Sequence, residues 1–162
     1  MEEQKWYAIK VFFNRVPAVL QMLDTRSVEY YAQTIIPSYV FIRTAEKEAE
    51  KLRSDLYQYF YLYSDRETRK PTAIPEKEMN IFRIITSSGD TGLEFLGEDP
   101  TRWQQGDKVR VKDGPFKGAE GYIRRIKKDR RLVVTVSGLA AIATSSIPPS
   151  LLEKVEAWCT EG

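Results

Sequence analysis

Side chains that commonly do covalent or proton-transfer chemistry are scarce in this chain. It has no histidine and a single cysteine, Cys159. That removes the commonest general base and the commonest zinc ligand, and it leaves no pair for an internal disulfide. The 23 aspartates and glutamates cluster on predicted helices and a predicted linker, with no spacing that suggests paired acid and base. No catalytic residue, metal ligand or cofactor is therefore expected. What the spacing does offer is charge. Residues 124 to 131 carry six positive charges in eight positions. Arg124, Arg125, Lys127 and Lys128 could meet phosphates or an acidic protein. Equally, the run could be a solvated hairpin end that keeps a sheet edge from aggregating.

Just before that run lies Gly-Asp-Lys-Val-Arg-Val-Lys-Asp-Gly-Pro-Phe-Lys-Gly-Ala-Glu-Gly, residues 106 to 121. Val109 and Val111 alternate with Lys108, Arg110 and Lys112, the period of a half-buried strand. Gly114, Pro115, Phe116 and Gly118 supply a turn, because Pro115 presets φ and the glycines admit angles that other residues resist. A second strand opens at Tyr122-Ile123. Phe116 is a large apolar side chain at a turn tip. It either folds back as a plug for the small unit or meets a partner.

The elements that must carry these stretches follow from periodicity. Residues 6 to 13 alternate as a strand. A helix spans about 14 to 23, with Asn14 as N-cap, Pro17 in the first turn and Val16, Val19, Leu20 and Leu23 on one stripe. Strands follow at 28–36 and, after Pro37, at Tyr39 to Ile42. Thr44 is expected to cap a second helix, whose Glu46 and Glu48 suit the positive end of the helix dipole. Residues 57 to 63 return to strand spacing, 64 to 70 form a loop, and 76 to 86 form a third helix with Met79, Phe82 and Ile85 inward. This is a split βαβ, ferredoxin-like order with one extra helix. The glycine-rich stretch 87–102 reads as a linker that Leu93, Phe95 and Leu96 could pin to a surface. Short strands at 132–136 and 141–144, with a turn at Ser137-Gly138, then complete a small all-β unit. The fold class is α+β, with domains at 1–88 and 103–162 joined by 89–102.

Composition agrees with a soluble globular chain: 42% hydrophobic and 30% charged residues in 162. No apolar run is long enough for a membrane helix. The polar, acidic start Met1-Glu2-Glu3 is unlike a signal peptide, and the cytoplasm is the expected compartment. Net charge is only +2, but residues 103–162 hold 11 Lys and Arg against 7 Asp and Glu, while residues 1–102 hold 14 against 16. Two units with different partners are implied.

The 106–121 order matches the KOW motif, and Gly-Pro-Phe is its form in the NusG family of transcription elongation factors. Trp6-Tyr7 resembles the opening of that family's N-terminal (NGN) domain. Ile36-Pro37-Ser38-Tyr39-Val40 stands where the family has Phe-Pro-Gly-Tyr-Val, and Ile74-Pro75 is likewise typical. The resemblance implies an NGN domain followed by an SH3-like KOW barrel. It implies RNA polymerase as partner, through an apolar patch including Ile36, Pro37 and Tyr39. It further implies a small-subunit ribosomal protein or Rho at the 114–118 loop, and non-template DNA or nascent RNA as nucleic-acid candidates. A monomer and no membrane contact are expected.

Tyr63 to Thr68, Phe95 to Pro100 and Ala143 to Pro149 look closest to UpxY-type antiterminators, which are associated with capsular polysaccharide operons. Two departures from general NusG proteins, Ser38 in place of glycine and a short connection between the first helix and that motif, fit a specialised paralog. The rival function is a ribosome-associated KOW-type RNA-binding protein, for which a more basic chain would be expected.

Overall fold

A computed structural model describes residues 3–98, 106–136 and 139–155. Its elements, in order, are strand β1 (Gln4–Val11), helix α1 (Val16–Thr25), β2 (Glu29–Ala32), β3 (Tyr39–Ala45), α2 (Glu46–Asp55), β4 (Phe60–Leu62) and α3 (Glu76–Thr86). Seven further pieces follow: β5 (Glu94–Phe95), β6 (Lys108–Val111), β7 (Glu120–Ile126), β8 (Asp129–Val136), β9 (Ala140–Ser146), a 3-10 turn at Pro149–Leu151, and β10 (Leu152–Lys154). The chain divides into two compact units, Met1–Glu76 and Lys77–Gly162.

The first unit is a four-stranded antiparallel sheet in the order β2-β3-β1-β4, the strand order of the split βαβ arrangement expected from sequence. Alternation along β1 puts Tyr7, Ile9 and Val11 on the face that packs with Val19 and Leu23 of α1 and Ala49 and Leu52 of α2. Val40, Ile42, Phe60 and Leu62 complete that core. Trp6, Ala8 and Phe41, which alternate onto the other face, are buried as well, so both faces of the sheet are apolar.

Local chemistry moves several boundaries. β1 ends at Val11, because Phe13 and Asn14 adopt φ of 54° and 55°, outside the extended region. Asn14 is therefore not the cap of α1; Arg15 holds that position without a side-chain hydrogen bond. Nor does Thr44 cap α2. It is buried in β3 opposite Lys5, and Ala45 takes the cap position. The tyrosine-rich stretch from Tyr57 contributes only Phe60–Leu62 as strand, with Tyr57 in the turn that leaves α2.

The second unit contains α3 and a six-stranded antiparallel sheet in the order β10-β6-β7-β8-β9-β5. The sixth strand, β5, comes from the stretch expected to be linker. It pairs with β9, Glu94 opposite Ala143 and Phe95 opposite Ile142. The remainder of that stretch from 99, the Ser137-Gly138 turn and Cys159 lie outside the described residues.

Gly121 explains why β7 and β8 can approach so closely. A Cβ there would lie 2.2 Å from the Val133 carbonyl oxygen, a distance no other residue tolerates. Between Arg131 and Val133 the β8–β9 register shifts, and the Leu132 N–H donates to the Thr144 hydroxyl at 3.2 Å. The ladder donor freed by the bulge thus finds a partner.

Candidate functional site

Residues 32–39 connect β2 to β3 and face the first two turns of α1. Together they enclose an apolar cleft of about 320 Å³, lined by Val16 and Leu20 from the helix and by Ala32, Ile36, Pro37 and Tyr39 from the connection. Of the three residues named from sequence, Pro37 is exposed, whereas Ile36 and Tyr39 are 2% and 9% exposed. Ile36 and Tyr39 therefore build the floor and wall, and a visitor would touch Pro37 and the half-buried Leu20. The sequence assigned Val16 and Leu20 to a core stripe. Only the position of the 32–39 connection reveals that this stripe also opens onto a cleft.

Backbone geometry holds the connection in place. Ser38 has φ 68°, the left-handed region that glycine enters freely and that L-residues other than asparagine and aspartate seldom enter. Its carbonyl accepts the Val11 N–H at 2.7 Å, which ties the turn to the end of β1. The Lys10 ammonium lies 5.7 Å from the Tyr39 ring centre, within cation–π range.

The loop between β6 and β7 is tightly wound. Gly114 and Gly118 have φ of 89° and 92°. The Gly118 N–H returns to the Val111 carbonyl at 2.9 Å, and the Lys117 N–H to the Gly114 carbonyl at 3.1 Å. Gly114, Pro115, Lys117 and Gly118 are exposed, but Phe116 is buried. Phe116, expected from the resemblance to meet a partner, is only 8% exposed, so the ring is largely covered within the chain, which removes a large apolar surface from water.

The basic run forms the β7–β8 hairpin end, with Ile126 opposite Asp129. Its two-residue turn, Lys127-Lys128, has φ of 52° and 76°. Positive φ at both positions marks the type I′ turn that suits strand twist, though Asn-Gly is the usual sequence. Arg125 pairs with Arg130, and Arg124 with Arg131. Like charges directly opposite destabilise a hairpin. Arg125, Lys127, Lys128 and Arg130 are exposed, and Arg124 is half-buried.

Arg131 leaves this set altogether. Its guanidinium donates to the carbonyls of Thr144 and Gly92 and to the Glu94 carboxylate, the last at 2.9 Å. The sequence counted it among tip charges; only pairing of β5 with β9 shows that it fastens the 92–95 segment to the sheet. Asp90 adds to that attachment by accepting from the Ser145 and Gly92 N–H groups, each at 2.9 Å. Burial pushes the Asp90 carboxyl up, but those hydrogen bonds and the charge of Arg131 outweigh it, leaving the group below its usual range.

Among the described residues, no group of acidic or cysteine side chains is placed to hold a metal ion, and no helix is long and apolar enough to cross a membrane.

No protein-family model matches the chain, and no curated protein matches it. Among solved structures, one described as "Domain interaction in Thermotoga maritima NusG" is similar, with a TM-score of 0.53 and 17% identity. The match covers 95% of this chain and 98% of that one. At that identity the likeness is one of fold. The chain has a NusG-like α+β fold with two antiparallel sheets.

Proposed function

We propose that this chain is a transcription elongation factor that binds RNA polymerase through the apolar cleft of its first unit and suppresses pausing or termination. The observation that carries the proposal is the 32–39 connection. In a NusG-like fold, the Ile36-Pro37-Ser38-Tyr39 motif forms an open apolar cleft whose shape depends on a strained backbone at Ser38. Strain of that kind persists where surrounding structure enforces it, and functional surfaces are where it concentrates. The resemblance supplies the partner: in the family this patch docks on the coiled-coil clamp helices of the polymerase. Docking there would bridge the polymerase cleft and favour the elongating state over the paused one, a shift set by the difference in binding to the two.

The resemblance also supports a finer assignment, to UpxY-type antiterminators acting on long operons such as capsular polysaccharide loci. In it, the N-terminal NGN domain binds polymerase, and a KOW domain offers its 114–118 loop to ribosome or Rho. Arg125, Lys127 and Lys128 would face nucleic acid. The protein would act in the cytoplasm as a monomer, making and breaking no bond.

The test is a single-round transcription assay on a template with a defined pause and a terminator, using purified polymerase and the full chain. Shorter pause lifetimes and more read-through are expected. Unchanged lifetimes and termination at saturating protein would overturn the proposal.

A further inference from the structure

A second cleft, of about 550 Å³, lies at the β4 edge of the first unit, away from the 32–39 connection. Its wall includes Arg53 from α2, Tyr61 from β4, and Ser64, Asp65, Arg66 and Arg69 from the following loop. Three arginines thus line one concavity of the size that small ligands occupy.

Arg53 is the positioned member. Its Nη1 donates to the Ser64 hydroxyl at 3.1 Å and to the Arg69 carbonyl at 2.9 Å, and Glu50 lies 3.9 Å from its Nη2. Among the described residues, no carboxylate pairs with the guanidinium of Arg66 or of Arg69. The acid in the wall, Asp65, has its carboxylate committed to the loop. It accepts from the Glu67 and Thr68 N–H groups at 2.8 and 2.9 Å, and those bonds, that of Thr68 first, hold it below the usual carboxylate range. Arg69 has φ 63°, a backbone conformation that a non-glycine residue resists, and its carbonyl accepts from Arg53. Tyr61, in the wall of the same cleft, is 51% exposed.

We propose that this cleft binds the phosphate groups of a nucleotide, with Arg66 and Arg69 on the phosphates and the Tyr61 ring as a stacking surface for the base. Guanidinium groups without carboxylates match phosphate oxygens in charge and in forked geometry. The bounded cleft fits one nucleotide better than a strand, which would need a basic groove running on past it. The inference is independent of the polymerase-binding proposal, because it shares no residue with the 32–39 cleft.

Calorimetric titration of the full chain with ATP and with pyrophosphate tests it. One saturable site for each is expected. Arg66→Gln and Arg69→Gly should each weaken both ligands about tenfold, as loss of one charge-assisted contact does. Glycine at 69 also keeps the left-handed backbone, so thermal unfolding should not move down. Tyr61→Ala should weaken ATP several-fold and leave pyrophosphate unchanged. No saturable binding up to about 1 mM ligand, or unchanged affinity in both arginine variants, would overturn the site. Binding of an oligonucleotide alone would also overturn it. Should Arg69→Gly unfold the protein, Arg66→Gln decides alone, since its side chain is exposed and makes no described contact.

Discussion

The Val11 N–H donates to the Ser38 carbonyl at 2.7 Å, and Ser38 makes that bond from a left-handed backbone, φ 68°. The bond ties the connection that forms the apolar cleft to the end of β1. Ser38→Gly should then be stabilising, by about 0.5–1 kcal/mol, because glycine adopts this φ without the Cβ penalty, set against its greater freedom when unfolded. Chemical denaturation checks this. A variant less stable than wild type would mean that the Ser38 side chain contributes more than its backbone strain costs.

Gly121 should tolerate nothing larger. With the Val133 oxygen 2.2 Å from a would-be Cβ, Gly121→Ala must separate β7 from β8, at a cost of about 3 kcal/mol or more. Amide exchange across the β7–β8 ladder should accelerate in the variant while the first unit's core amides stay protected.

Removing the Arg131 guanidinium strands the groups it satisfies. Arg131→Met should destabilise the second unit by about 2–4 kcal/mol, because the Thr144 and Gly92 carbonyls and the Glu94 carboxylate lose a shared donor. The Leu96 N–H, bonded to the Ala141 carbonyl at 2.8 Å, should exchange faster as β5 detaches. Unaltered exchange at Leu96 would mean that strand pairing alone holds the segment.

Acid should loosen the second unit through two carboxylates. Glu120, nearly buried, lies 3.1 Å from both the Lys77 ammonium and the Arg110 guanidinium. Burial pushes its carboxyl up, but the hydrogen bonds and charges of those two residues prevail and hold it below its usual range. Asp90 is depressed likewise. Depressed groups bind fewer protons folded than unfolded. Their stabilisation is therefore present above the ordinary carboxylate range and lost as pH falls from about 5 through the folded values. The urea midpoint should drop across that window, and less steeply in Glu120→Gln combined with Asp90→Asn. An equal slope in wild type and variant would assign the acid sensitivity elsewhere.

Where sequence and structure agree, the reason is periodicity. Alternation set the strands and their faces, and the 76–86 helix emerged with its Met79, Phe82 and Ile85 stripe buried. What was not legible turns on backbone angles and distant pairing. Left-handed Phe13 and Asn14 end β1 early, although the side-chain pattern runs on through Phe13. Phe13, 84% exposed, has the composition of core and the position of surface. The linker composition of 89–98 hid β5, because a two-residue strand exists only through its partner β9. Ser38 was legible as a departure from glycine; its positive φ gives that departure a physical meaning. Arg66 and Arg69 stood in a segment read as a loop, and Arg66 also in a stretch that carried the family resemblance, with no chemistry assigned to either side chain.

The apolar cleft sets how its role must be tested. Because Ile36 and Tyr39 are buried, Ile36→Asp places a charge in the core and should cost several kcal/mol of stability, so lost binding there would report unfolding. Pro37 and Leu20 are the accessible members, and Pro37→Glu with Leu20→Glu puts charge at the cleft mouth. The decisive measurement is the affinity of the full chain for core RNA polymerase, wild type against this double variant, with thermal unfolding of both recorded. Specific binding by wild type and a loss of about 100-fold in a folded double variant are predicted, as expected when charge enters an apolar contact. A folded double variant that binds polymerase as tightly as wild type would contradict the account.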